Sequence, residues 1–324
     1  MITVRAPFRI SFAGGGSDID SFYKENYGAV VSTTINKFMY IMIHPYFHNK
    51  IKIKYSKTED VVSINEIEHP LVRECLKLMK VEKGVEIASI ADIPAGTGLG
   101  SSSAFTVALL YALSAYKQKI RTKEWLAKSA CRIEINKVKE PIGKQDQYAV
   151  SFGGLNYIRF NPNGTVWVEP IIVEPKMRRQ LENNLLMFYV GNERKAGQIL
   201  RKQKQLMEKK RKFAIIHKMV KLAERTKQVL TQGSLGKFGE LLHEGWLLKR
   251  NLTDGITNPQ LDDYYNRALK AGAKGGKILG AGGGGFFLFY CDPEYHDSLR
   301  AALKLRELDF EFDDEGVKIV YFDG

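Results

Sequence analysis

The chain has 324 residues, 44% of them hydrophobic and 26% charged, which is ordinary for a globular protein large enough to bury an extensive core. No run approaches the roughly 18 apolar residues of a membrane span, and the first residues lack a signal peptide's charged and apolar regions. Three widely spaced cysteines with no C-x-x-C exclude a disulfide framework and a zinc site and point to a reduced, cytoplasmic protein. The net charge of +13 suits nucleic acid, an anionic surface or small anionic substrates. Much of the excess lies between Arg194 and Lys221, where apolar residues recur at helical spacing, so the segment reads as an amphipathic helix with a solvated basic face. No nucleic-acid-binding pattern accompanies it, and no nucleic-acid or membrane partner is expected.

In chain order, Ile2 to Ile10 alternates as a strand and runs into Gly14-Gly15-Gly16-Ser17-Asp18. Glycines there expose backbone, and the Asp18 carboxylate can accept two hydrogen bonds, as from a vicinal diol. A plain turn ending in a helix cap is the alternative. Val30 to Pro45 and Lys50 to Tyr55 read as further strands, and a helix begins at His69-Pro70-Leu71 and runs to about Met79. His44 and His48 have no third ligand nearby and are not read as a metal site.

Val85 to Ile90 reads as a strand and Ala104 to Tyr116 as a helix. Between them lies Pro94-Ala95-Gly96-Thr97-Gly98-Leu99-Gly100-Ser101-Ser102-Ser103. A strand, a glycine turn and a serine-rich helix start make a polyphosphate site. Glycines let amides approach oxygens that a Cβ would hold away, and the first helical N–H groups are unpaired. The loop is not a Walker A sequence, because no lysine follows Gly100. A second helix spans Thr122 to about Lys139 and carries Glu134, followed by Gly143-Lys144-Gln145-Asp146-Gln147. Strands are predicted over 156–158, 166–173 and 185–190. A polar helix opens at Pro175, and two more helices cover Leu235 to Leu248 and Pro259 to Lys270. Gly280, Gly282 and Gly285 satisfy G-x-G-x-x-G but lead into the apolar strand Phe286 to Tyr290, not a helix, so a dinucleotide fold is rejected. A helix over 293–306 and a strand over 316–322 are expected to close the second half.

Pro94 to Ala104 closely resembles the second motif of the GHMP kinases, and Lys277-Ile-Leu-Gly-Ala-Gly-Gly-Gly-Gly285 is similar to their third. Arg5 to Asp18 resembles the first motif in the form carried by sugar 1-kinases, so three motifs fall in the family's order. The resemblance implies a two-domain α+β fold, with an ATP-binding ribosomal-protein-like domain over 1–175 and a ferredoxin-like domain over 176–324. It implies ATP and Mg2+ as cofactors and a sugar phosphate as acceptor: D-glycero-D-manno-heptose 7-phosphate, in the synthesis of nucleotide-activated heptose for surface polysaccharide. An unphosphorylated sugar such as fucose or galactose, or a non-catalytic sugar-binding regulator, is the alternative. Among residues, it implies Asp146 as base and Arg9 beside the transferred phosphoryl group. Ser102 and Glu134 are the implied magnesium ligands, and Pro94 to Ser103 hold the nucleotide. Gly15, Gly16, Ser17, Asp18, Arg194, Gly283 and Gly284 are the implied acceptor contacts. Oligomeric state is left open, a homodimer included.

Overall fold

A computed structural model of the chain describes residues 1–191 and 210–323. In order, the first part comprises strand β1 (Ile2–Ala13), the single turn α1 (Asp20–Tyr23), β2 (Gly28–Pro45), β3 (Ile51–Lys54), β4 (Thr58–Val61) and helix α2 (Pro70–Met79). It continues with β5 (Val85–Ala91), α3 (Ser101–Tyr116), α4 (Lys123–Cys131), a π-helical segment over Arg132–Lys137, and α5 (Gln145–Phe152). Then follow β6 (Asn156–Phe160), β7 (Val166–Pro170), α6 (Pro175–Asn183) and β8 (Leu185–Gly191). Beyond residue 209 come α7 (Lys210–Gln232), α8 (Leu235–Arg250), α9 (Pro259–Lys270), β9 (Ala273–Ile278), β10 (Gly285–Cys291) and α10 (His296–Leu303). The short strands β11 (Arg306–Glu307), β12 (Phe312–Asp313) and β13 (Lys318–Phe322) end the chain. Arg194 and the first part of the basic segment lie outside the described residues.

The elements form two sheets. The larger runs β13-β1-β2-β5-β3-β4, with β12 and the β6–β7 hairpin also on β2; the smaller runs β11-β8-β10-β9. Every pairing is antiparallel except β3 with β5, so the larger sheet is mixed. Its core is the alternating face of β1 and β2, including Phe8, Ile10, Ile41 and Ile43, under the apolar helix α3. Strand β13 was expected to close the second half; it pairs instead with the edge of β1, Ile2 opposite Phe322. Both chain ends therefore belong to the larger sheet. No helix among the described residues is long and apolar enough to cross a membrane.

Two local departures matter for the site. The helix predicted over 122–139 begins as expected, with the Thr122 side chain accepting from the Trp125 N–H. After Cys131 it widens into the π segment, which sets Glu134 facing α3. The stretch after Gly143, to which no element was assigned from sequence, is helical from Gln145 and puts Asp146 in the first turn of α5. Gly98 and Gly100 adopt φ of +87° and +79° as required of the loop before α3. Gly98 has a further reason to lack a side chain: a Cβ would stand 2.5 Å from the Leu279 carbonyl oxygen. The two glycine loops thus touch backbone to backbone.

Candidate active site

The end of β1, the start of α3, the first turn of α5 and the loop between β9 and β10 converge on one cleft. Its walls include Arg9, Gly15, Gly16, Asp18, Asp146 and Gly284, with Gly96, Gly98, Gly100 and Ser101 to Ser103 along one side. Arg9 ties three elements together. Its backbone N–H donates to the Leu99 carbonyl at 3.0 Å, which joins β1 to the glycine loop. The guanidinium donates from Nε to Asp146 Oδ1 at 2.7 Å, from Nη2 to Oδ2 at 2.6 Å, and from Nη1 to the Gly98 carbonyl at 2.6 Å. This fork fits a carboxylate in a way that a lysine could not reproduce. The Arg9 side chain is 4% exposed and that of Asp146 22%, so the carboxylate is the more accessible member of the pair.

Glu134 is fully buried behind the serines. Oε1 accepts from Ser102 Oγ at 3.0 Å and Oε2 from Ser103 Oγ at 2.9 Å, and Gln147 Nε2 donates to Oε2 as well. Burial pushes its carboxyl up to about 7, against the lowering effect of these donors. Because the Ser102 proton goes to Glu134, the lone pairs of that hydroxyl remain free on the cleft side. A hydroxyl so oriented, with a carboxylate behind it, fits Mg2+, which takes one or two protein oxygens and completes its shell with phosphates and water.

On the other wall Asp18 is almost fully buried. It accepts from the Gly16 N–H at 3.0 Å and the Gln145 N–H at 3.1 Å, and burial raises its carboxyl, opposed by the Gln145 amide. Gly143 must be glycine here, since a Cβ would sit 1.9 Å from Asp18 Oδ2.

Five of the expected contact residues have their polar groups or side chains engaged away from the cleft. Ser17 does not reach the cleft: its fully buried hydroxyl donates to the Gly14 and Ala29 carbonyls and accepts from the Ala29 N–H, so it locks the turn against β2. Gly283 commits its N–H to the Ile256 carbonyl, while Gly284 faces the cleft. Pro94 and Thr97 line a separate shallow pocket with Tyr189 and Phe286, and the Thr97 hydroxyl bonds the Pro94 carbonyl. Leu99 puts its side chain in the core and contributes its carbonyl to Arg9.

Three cleft residues were not anticipated. Gln145 bridges the walls, accepting from Ser11 Oγ at 2.9 Å while its backbone holds Asp18. Lys249, near the end of α8, donates to the Ile278 carbonyl at 2.9 Å and the Gly280 carbonyl at 2.5 Å. Lys277 on β9 donates to the Phe12 carbonyl at 3.0 Å. Burial pulls the Lys277 ammonium down to about 7, with Arg9 adding to the effect, and Lys249 falls well below the usual lysine range. The lysine next to the end of the strand before the third glycine run was a sequence signal for Lys277; Lys249 offered none.

Residues 70–154 match the family model "GHMP kinases N terminal domain" and residues 219–307 match "GHMP kinases C terminal", together more than half of the chain. A D-glycero-alpha-D-manno-heptose 7-phosphate kinase of Campylobacter jejuni is 27% identical over 98% of both chains. A bifunctional fucokinase/GDP-fucose pyrophosphorylase of Arabidopsis thaliana is 26% identical over 93% of this chain and 31% of that protein. Among solved structures, a D-glycero-D-manno-heptose 1-phosphate kinase from Bacteriodes thetaiotaomicron superposes with a TM-score of 0.81 at 26% identity, covering 100% of both chains. With the matched domains, three motifs on one cleft and the two-sheet architecture, this chain belongs to the GHMP kinase family, as an ATP-dependent phosphotransferase with an alcohol acceptor.

Proposed function

We propose that the chain phosphorylates the anomeric hydroxyl of a sugar phosphate, with D-glycero-D-manno-heptose 7-phosphate as the favoured acceptor and the 1,7-bisphosphate as product. The observation that carries the reading is the Arg9–Asp146 pair beside Gly100, between the glycine loop and the wall that holds Asp18. Similarity to the Campylobacter jejuni heptose 7-phosphate kinase along nearly the whole chain supports the acceptor class. The Bacteriodes neighbour is named for a heptose 1-phosphate, so the position of the acceptor's existing phosphate is what a test must decide.

In this reading the amides of Gly96, Gly98, Gly100 and the first turn of α3 hold the ATP phosphates, and the helix dipole favours them there. Ser102, with the Glu134 carboxylate behind it, would hold Mg2+, which would supply positive charge to the phosphate oxygens. Asp146 takes the proton of the incoming hydroxyl at a carboxylate oxygen, while Arg9 orients that carboxylate and offsets the charge spreading over the transferred group. An anomeric hydroxyl is more acidic than an ordinary alcohol, so one carboxylate suffices. Catalysis then rests on position and electrostatics, as expected for phosphoryl transfer. Gly15, Gly16, Asp18 and Gly284 contact the acceptor. The two halves divide near residue 175, and the reaction takes place in the cytoplasm in the making of nucleotide-activated heptose.

A kinase for a free sugar is the second reading, favoured by the similarity to the Arabidopsis thaliana fucokinase. ADP release measured over heptose 7-phosphate, heptose 1-phosphate, fucose and galactose separates the readings. Selective turnover of the 7-phosphate is expected. Turnover of the free sugars alone would replace it with the second reading.

A further inference from the structure

Lys249 and Lys277 are an unusual pair to find inside a fold. Each is less than a tenth exposed, at 7% and 5%, yet both line the cleft. Among the described residues their partners are carbonyl oxygens, and neither forms an ion pair. The charges acting on Lys249 are those of Lys277 and Arg9, and the charge acting on Lys277 is that of Arg9, all positive. A buried cation without a counter-ion is costly, and the cost is relieved when an anion arrives. Functional clefts are where such arrangements persist.

We propose that Lys249 and Lys277 form an anion subsite for the phosphate monoester already carried by the acceptor. This rests on the reading above that the acceptor is a sugar phosphate. Each ammonium has three donors. Lys249 spends two, on Ile278 and Gly280, and Lys277 spends one, on Phe12, so three N–H groups remain between them for an acceptor-only dianion. Lys249 stands where the two glycine loops meet, bonded to the carbonyl of Gly280 beside Gly98, and Lys277 carries the pair toward the acceptor side. The Arg9 N–H marks where β1 meets the glycine loop, at Leu99. The Lys277 amine is fixed three residues further along the strand, at Phe12, about 10 Å on at strand rise. That direction leads away from the loop and toward Gly14 to Asp18. A sugar whose reacting hydroxyl sits at Asp146 spans the gap with its ring and presents its own phosphate to the amines. The positive end of the site would then discriminate against unphosphorylated sugars.

The test compares wild type with Lys277→Gln and Lys249→Gln at saturating ATP, on a sugar 7-phosphate and on the same sugar without phosphate. Glutamine at 277 retains a donor for the Phe12 carbonyl and removes the charge. Preference for the phosphorylated acceptor falls about 100-fold, the effect of losing a charge-assisted hydrogen bond to a desolvated phosphate, and the loss appears in the acceptor KM. A preference within threefold of wild type overturns the subsite, and so does a rise in the KM for ATP with the preference retained, which would assign the amines to the nucleotide. A second readout does not depend on turnover. In protein carrying 13C-labelled lysine and saturated with MgADP, the Lys249 and Lys277 Cε resonances shift as inorganic phosphate is added; unchanged resonances overturn the proposal. If wild type turns over no sugar phosphate but both resonances move, the substrate reading fails and the anion subsite stands.

Discussion

Replacing Asp146 with Asn perturbs the pair at the centre of the cleft while keeping its shape. Two effects separate. The first is on stability: Arg9 is 4% exposed and loses the anion that takes two of its donors. Removing one member of a buried pair costs about 3–5 kcal/mol. Asp146 is 22% exposed, so solvent already screens part of the attraction, and Asn still offers one acceptor to the fork. The expected loss is about 1–2 kcal/mol, a fall in Tm of a few degrees. The second effect is on turnover. An amide cannot take the acceptor's proton, and a positioned base contributes about 10²- to 10⁴-fold, so kcat falls about 1,000-fold. In the proposed arrangement the nucleotide is held by the glycine loop and not by Asp146, so the KM for ATP should stay within threefold. Coupled-assay kinetics with a thermal melt give all three numbers. A kcat within tenfold of wild type would refute the role of Asp146 as base, as would a loss confined to the KM for ATP.

Further expectations follow from the same geometry. Gly98→Ala forces a side chain to a φ of +87° and 2.5 Å from the Leu279 carbonyl, so the melt should drop by the equivalent of about 2 kcal/mol or more and ATP binding should weaken with it. Glu134→Gln puts a donor where Ser102, Ser103 and Gln147 all donate; the Mg2+ concentration for half-maximal rate rises at least about tenfold, as for loss of a carboxylate supporting a metal site. Lys277 is pulled from 10.5 to about 7 in the folded chain, so between those values the unfolded chain binds more protons there. Ligand-free stability therefore gains a term that rises with pH across this range, on the order of 1 kcal/mol per pH unit. Lys277→Met lacks that term. Urea unfolding at pH 7 and pH 9 should show a steeper rise for wild type, and equal slopes would contradict it.

What could be read from the residues is what local chemistry governs. Alternation over β1, β2 and β5 and the glycine turn before α3 are short-range signals, and each produced its element within a few residues of the expected ends. Pairing of β13 with β1 was not legible, because it depends on which strand edge remains free once the chain has folded. The π segment was hidden for a related reason: its residues have ordinary helical character, and the widening at Glu134 accompanies packing against α3. Within the motifs, residue identity did not reveal side-chain direction. Ser17 and Gly283 sit among residues that face the cleft, yet their hydrogen bonds run into the scaffold. Lys249 was invisible because a lysine at a helix end is ordinarily solvated; only the tertiary fold brings it under the Gly280 carbonyl.

The central claim is that phosphate moves from ATP to the anomeric oxygen of a sugar phosphate. The most direct measurement is 31P NMR of the product formed from heptose 7-phosphate, MgATP and the full chain. The account predicts ADP together with a second phosphate resonance coupled to the anomeric proton, beside the retained 7-phosphate signal. A new phosphate coupled to any other sugar proton, or ADP formed with inorganic phosphate alone, would contradict it.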